Sequence, residues 1–344
     1  PLPPAADPDE AVRQALRSPI GSPELVELAR GAGKVAIVVD DLSRPTPARL
    51  LMTHIVAELE AAGLPRAAIT VVTALGTHRA MSQDDLARKI GREWADTLAW
   101  ENHNYADAAR HTVLGATRRG TPVALNSTVC AADLVILVGV IEPHVIASFG
   151  GGYKNLIPGV ADARTIGATH TLNLTPATFN MTGRPCEENP MRLDLEEAGA
   201  MLRAPVFIVN VVLDRWLRVV RVVAGHPVRA HREGVKTCAA LCGVRIPRLA
   251  DVVLTTSYPM DIDLRQGLKA VANNIRAVRP GGMLINLVRA EEGAGHMSDP
   301  AVAPLLAEME ASANAHDTDR HMAAYARDPS LTFVFNGEIV RGWD

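Results

Sequence analysis

Residues 35–75, VAIVVDDLSRPTPARLLMTHIVAELEAAGLPRAAITVVTAL, decide the fold class. Val35–Asp40 is a continuous apolar run closed by an acid, the pattern of a strand buried on both faces of a parallel sheet. Thr46 and Pro47 then read as the N-cap and first position of a helix, with Leu51, Ile55, Leu59 and Ala62 on its buried face. Ile69–Leu75 is a second buried strand. A strand, helix, strand unit predicts an α/β fold with a parallel sheet. Ligands of such sheets bind outside the carboxyl ends of the strands, which places Asp41, Arg44, Gly76 and His78 on the functional edge. The helix start after Thr46 also offers unpaired N–H groups to a phosphate. Taken alone, Asp41 and Arg44 fit a local turn with an ion pair equally well, and His78 fits a solvated loop.

Outward from this unit, Glu10–Leu16 and Pro23–Arg30 read as short helices before it, and Gln83–Ile90 as a helix after it. The region around His103 and His111 reads as loop, with a short strand at Val123–Leu125. Asp133–Gly139 (DLVILVG) is again a buried strand, and it delivers His144 to the same edge as His78. Three glycines follow, Gly150, Gly151 and Gly152, then Lys154, the pair Pro158 and Gly159, and His170. Glycines permit positive φ and close approach of backbone to a ligand. Pro190–Leu202 reads as a helix, and Val206–Leu213 and Leu217–Val223 as strands joined by a turn near Asp214. His226–Leu241, with His231, Lys236 and Cys238, reads as a helix connecting two domains. The pattern restarts with a strand at Asp251–Thr256, a helix at Leu264–Val278, and strands at Gly282–Val288 and Leu331–Asn336. Two α/β domains are predicted, residues 1–243 and a smaller 244–344, with a small-molecule site in the cleft between them.

The chain has 344 residues, 48% hydrophobic and 21% charged, enough for two cores. Its formal net charge of −3 gives no basic footprint for nucleic acid. No apolar run of about 18 residues predicts a membrane span. Cys130, Cys186, Cys238 and Cys242 fit neither a disulfide framework nor a four-ligand zinc site. With no basic start and apolar stretch at the N-terminus, they point to a reducing, cytoplasmic setting. Nothing in the sequence specifies an oligomeric state. Gly31 and Gly33 precede a strand instead of following one, so they fail as a dinucleotide fingerprint. No phosphate-binding P-loop and no G-x-S-x-G nucleophile elbow occurs.

His78, His144 and His170 with a glycine-loop lysine permit a metal held by imidazole or proton transfer near neutral pH. Inverting a stereocentre needs proton acceptors on both faces of a substrate, which two histidines from different loops can supply. A three-histidine metal hydrolase fits these residues equally.

DDLSRPTP (Asp40–Pro47), ALGTHR (Ala74–Arg79), IEPHVIASFGGGYKNLIPGV (Ile141–Val160) and RTIGATH (Arg164–His170) resemble the nickel-dependent lactate racemase family of 2-hydroxyacid racemases and epimerases. The resemblance implies two Rossmann-like or flavodoxin-like α/β domains with the active site in the cleft. It also implies a nickel-pincer nucleotide, pyridinium-3-thioamide-5-thiocarboxylic acid mononucleotide, that accepts hydride reversibly from a small 2-hydroxy acid. On this reading Lys154 is the covalent attachment point, His170 the nickel ligand, and His78 and His144 the paired acid/bases. Asp41, Thr46 and Gly76 contact the nucleotide, and Arg44 faces the substrate carboxylate. Gln266 and Lys269 resemble the family's residues for the substrate carboxylate and keto oxygen. Arg265 beside them suits a second carboxylate, as in a dicarboxylic 2-hydroxy acid such as malate, and fits a surface helix arginine at least as well.

The chain departs from the family pattern in having Tyr153 before the lysine, EEGAGHM over residues 291–297, and no D-x-W-Q segment, Trp343 being a poor replacement. Lactate itself is therefore not assumed. The alternatives are a non-pincer histidine-metal hydrolase, or a nucleotide-binding homologue without racemase activity.

Overall fold

The computed structural model describes residues 2–173, 175, 177–178, 180–291, 293, 333–335 and 338–340. The chain divides into two compact units, Pro1–Val244 and Arg245–Asp344. In the first, α1 (Pro8–Arg17) and α2 (Leu25–Ala29) lead into β1 (Val35–Asp40), α3 (Ala48–Ala61) and β2 (Ile69–Ala74). Next come α4 (Gln83–Ile90), α5 (Arg92–Thr97), β3 (Ala99–Asn102), β4 (His111–Ala116), β5 (Pro122–Asn126) and α6 (Ser127–Cys130). β6 (Leu134–Val140) is followed by a small hairpin of β7 (Pro143–His144) and β8 (Ser148–Phe149). α7 (Ala163–Thr171), α8 (Pro190–Gly199), β9 (Val206–Leu213), β10 (Val219–Gly225) and α9 (Arg229–Cys242) complete it.

The main sheet has the order β10-β9-β6-β1-β2-β3. Every pairing is parallel except β10 on β9. β1 shows why the run VAIVVD is apolar throughout. Val35, Ile37 and Val39 face one core with α1 to α5, while Ala36 and Val38 face a second core with α6 to α9. Leu51, Met52, Ile55, Val56 and Leu59 of α3 are wholly buried. Burying each such side chain contributes about 1.5–3 kcal/mol, which holds the helix more firmly than its ends do.

From β1 the chain moves outward to β2 and β3, then returns to the other side of β1 for β6. This reversal is a topological switch point, and the crevice beyond the carboxyl ends of β1 and β6 is where ligands bind in such sheets. The turns carrying Asp41 and His144 leave from those two strand ends.

Three expectations need correction. Thr46 is not the N-cap of α3, because its hydroxyl donates to Asp40 Oδ2 at 2.5 Å and the helix begins at Ala48 with Pro47 in the cap position. The residues around His103 and His111 are not all loop. β3 extends the sheet to its edge and β4 pairs antiparallel with β5, although β4 is too exposed to show a buried-strand pattern. The helix carrying His231 is no connector, since α9 packs on β9 and β10 within the first unit and His231 is wholly buried.

In the second unit, β11 (Ala250–Thr256), α10 (Leu264–Asn274) and β12 (Val278–Leu287) form a parallel strand, helix, strand unit. β13 (Phe333–Phe335) pairs antiparallel with β14 (Glu338–Val340). Trp343 and residues 294–297 of the EEGAGHM segment lie outside the described residues.

Candidate active site

After β1 the chain makes a tight turn that buries its carboxylates. Asp41 Oδ1 accepts from Ser43 N at 2.9 Å and Ser43 Oγ at 2.5 Å. Its other oxygen accepts from His78 Nδ1, on the turn that leaves β2. Burial alone would raise the Asp41 carboxyl. The facing His78, then Arg44 and the Ser43 hydrogen bond, outweigh it and hold the group well below the usual carboxylate range. An ionised Asp41 only accepts hydrogen bonds, so His78 carries its proton on Nδ1 and a neutral ring has its lone pair on Nε2. Arg44 Nε lies 3.3 Å from Glu142 Oε1, so the ion pair bridges the turn after β1 to the turn after β6.

His144 ends β7 and is buried. Its Nδ1 accepts from the backbone N–H groups of Ala147 at 3.2 Å and Ile146 at 3.4 Å. An accepting Nδ1 leaves the proton of the neutral ring on Nε2, the opposite of His78.

The glycine turn behind the hairpin is a buried loop, and buried backbone groups need partners. Gly151 and Gly152 take φ of 75° and 61°, which suit glycine. Three side chains from other elements satisfy the turn. Arg192 of α8, fully buried, donates Nε to Ala147 O at 3.2 Å, Nη1 to Gly151 O at 3.2 Å, and Nη2 to Phe149 O. His231 of α9 donates Nε2 to Gly150 O at 2.8 Å, and Asn210 of β9 accepts from Gly152 N at 2.8 Å. Burial, and then Arg192, lower the basicity of His231, so it serves as a neutral donor. Ser148 holds a positive φ of 63° and accepts from Asn189 Nδ2 at 2.9 Å.

Lys154 follows on the short turn Gly152–Asn155. Its neighbour Tyr153 is buried and lies against Gly199 of α8, where an added Cβ would be 2.3 Å from the ring. The Lys154 side chain is only partly covered, yet its amine is shifted down to about 7. Desolvation is the largest cause, then Arg44 and Arg192, with Glu142 and Asp41 pulling the other way. Among the described residues it has no hydrogen-bond or ion-pair partner. An amine of this kind has a large unprotonated, nucleophilic fraction near neutral pH. Gly76, at φ 53°, donates its N–H to Gly159 O at 2.9 Å and so ties the His78 turn to the segment after Lys154. Gly159 is required there, since a Cβ would sit 2.1 Å from Asn155 O.

His170 lies on α7, which starts with Asp162 accepting from Thr165 N at 2.8 Å. Its Nδ1 donates to Ile166 O at 2.8 Å, which puts the lone pair of a neutral ring on Nε2. A ring N–H on a backbone carbonyl is the usual support of a ligating histidine. Among the described residues, no three His, Cys, Asp or Glu side chains come together in a way that could hold a metal ion.

The structure thus gathers Asp41, Arg44, His78 and Glu142 directly, links Gly76 to the Lys154 segment, and brings the charges of Arg44 and Asp41 to bear on Lys154. Thr46 is turned onto Asp40. Gln266 and Lys269 belong to the second unit, one helical turn apart on α10, where Asp263 caps the helix by accepting from Gln266 N at 2.6 Å. Arg265 is on the same helix, its side chain outside the described residues. Glu142, Arg192, Asn210, His231 and Lys89 were not singled out by sequence for the site. Glu142 stands two residues before His144 and gave a signal. Lys89, Arg192 and His231 lie on amphipathic helices and Asn210 lies in an otherwise apolar strand, and they gave none.

The four cysteines are free. Among the described residues no helix is long and apolar enough to cross a membrane.

Residues 1–180 match the family model of the lactate racemase N-terminal domain. The chain is 29% identical over 289 residues to the lactate racemase of Thermoanaerobacterium thermosaccharolyticum, covering 83% of this chain and 67% of that protein. It is 30% identical over 289 residues to the lactate racemase of Lactiplantibacillus plantarum, with the same coverages. Among solved structures, the lactate racemase apoprotein from T. thermosaccharolyticum is similar with a TM-score of 0.80 at 27% identity, over 96% of this chain and 77% of that one. A crystal structure of a Thermotoga maritima protein shares the fold, with a TM-score of 0.66 at 18% identity, over 98% of this chain and 86% of the other.

Proposed function

The chain belongs to the lactate racemase family, and on that premise we propose that it racemises or epimerises a lactate-type 2-hydroxy acid with the help of a nickel-pincer nucleotide. It is an isomerase of the racemase class. The observation that carries the mechanism is the opposed tautomers of His78 and His144 at the switch point.

The donor set fits the proposed cofactor. Lys154 offers for covalent attachment an amine whose basicity is lowered to about 7, so that a large fraction is unprotonated at neutral pH, and His170 offers one supported imidazole nitrogen. A nickel ion brought by an organic cofactor would need His170 from the protein and no cluster of three protein ligands. When bound, the cofactor supplies nickel and a reversible acceptor for the hydrogen on substrate C2.

The protein's own residues handle the proton and the orientation. Arg44, fixed by Glu142, pairs with the substrate carboxylate. His78 Nε2 takes the hydroxyl proton of one enantiomer, and Asp41 stabilises the resulting imidazolium through Nδ1–H. His144 begins as a donor at Nε2, the complementary role needed when the other enantiomer forms. Each histidine contributes about 10²- to 10⁴-fold if correctly poised. By the family resemblance, Gln266 and Lys269 of the second unit would bind the substrate carboxylate and carbonyl oxygen, a role that suits charge developing on that oxygen. Arg265 extends the preference to a dicarboxylic acid such as malate.

Racemisation of single-enantiomer lactate, malate and an aryl 2-hydroxy acid in D2O, by cofactor-loaded enzyme, tests the scheme. Hydrogen retained at C2 of the inverted product is expected, with malate preferred. Deuterium at C2 contradicts hydride transfer, and a strong preference for lactate contradicts the role of Arg265.

A further inference from the structure

We propose that Lys89 is a positioning residue of this site, its buried ammonium holding the turn after β1 in the shape that lets Asp41 meet His78 and Arg44 meet Glu142. Lys89 comes from α4, faces inward, and is 5% exposed. Its Nζ lies 2.6 Å from Asp40 Oδ1 and donates to Asp41 O at 2.8 Å and Arg44 O at 2.9 Å. An ammonium has three donors, and all three are used on this one turn.

Two of those acceptors are backbone carbonyls of the residues whose side chains form the site, so moving Nζ moves both. The second oxygen of Asp40 accepts from Thr46 Oγ1, which fixes the far end of the turn. Lys89 itself has little freedom. α4 opens with a capping box between Ser82 and Asp85, and Asp85 is paired with Arg79 at 2.9 Å, in the residue next to His78. One short helix therefore links the β2 turn carrying His78 to the β1 turn carrying Asp41.

Stability is a weak reason for such a pair. A buried ion pair exchanged for apolar residues of similar size is often neutral or stabilising, whereas loss of one partner is strongly destabilising. What an apolar pair cannot do is bind the carbonyls of Asp41 and Arg44. The kinetic consequence rests on the racemase reading, whereas the structural one does not.

Lys89→Met alone strands the Asp40 charge and risks unfolding, so the informative variant is Lys89→Met with Asp40→Asn, which removes both charges and keeps an acceptor for Thr46. Long-range 1H–15N spectra of the histidine rings in cofactor-free protein report the tautomer directly. The wild type should show His78 protonated on Nδ1, and the double variant a mixture of tautomers. In cofactor-loaded enzyme, KM should rise through Arg44 and kcat fall through His78, about 10- to 100-fold together in kcat/KM. A single wild-type tautomer with kcat and KM within twofold of wild type would overturn the proposal. Mixed tautomers with unchanged kinetics would uphold Lys89 as the positioning residue and remove His78 from the reaction.

Discussion

The turn after β1 and the glycine turn after β8 both present buried polar groups at the switch point, and they are satisfied by opposite means. In the first, charged side chains do the work. Asp40, Asp41 and Arg44 belong to the turn, and their partners Lys89, His78 and Glu142 reach them through ion pairs. In the second, the residues of the turn contribute almost nothing but backbone, and Arg192, His231 and Asn210 bring neutral-acceptor contacts from three other elements. A charged turn can answer to a substrate or to pH. A turn held by its backbone is rigid, which suits a segment with the role proposed for Lys154.

Breaking the second turn at its functional residue should have the largest effect. Lys154→Ala removes the attaching amine, and racemisation by protein made with a cofactor supply should fall below detection, as followed by chiral chromatography. Next, Asp41→Asn takes away the carboxylate that fixes the His78 tautomer. A drop of about 10²- to 10⁴-fold in kcat/KM is expected with the fold intact by circular dichroism. Arg192→Met should loosen the glycine turn, because each buried carbonyl left unsatisfied costs about 1–3 kcal/mol. Thermal unfolding should show this as a lower Tm. If Tm is unchanged, the turn is not held as described.

The smallest effect is on pH dependence. The Lys154 amine, at about 7 when folded against an ordinary 10.5, binds a proton more tightly in the unfolded chain. Stability should therefore rise with pH between those two values, the ammonium form being disfavoured in the folded state below them. Urea unfolding at pH 7 and pH 9 should show a slope in the wild type that is reduced in Lys154→Met. An identical slope in both would contradict the desolvated amine.

The same contrast explains what was legible in the sequence. β1, β2, β6 and β9 announced themselves because strands buried on both faces are apolar at nearly every position, and Asp41, His78 and His144 stood out as polar residues just beyond them. Thr46 misled because the capping preference is local, while its hydroxyl answers to Asp40 six residues earlier. β4 escaped notice because it is largely exposed, and α9 looked like a connector because His231 and Lys236 hid a face packed on β9 and β10. Lys89 and Arg192 were illegible for a deeper reason. A lysine or arginine on an amphipathic helix reads as solvated surface unless the turn it satisfies is already known, and each of those turns lies more than 40 residues away in the chain.

Intact-mass and peptide mass spectrometry, with metal analysis, on protein made alongside the enzymes that build the cofactor tests the central claim most directly. A mass increment localised to Lys154, accompanied by bound nickel and racemase activity, is the result expected. Full racemase activity with an unmodified Lys154 would contradict the account.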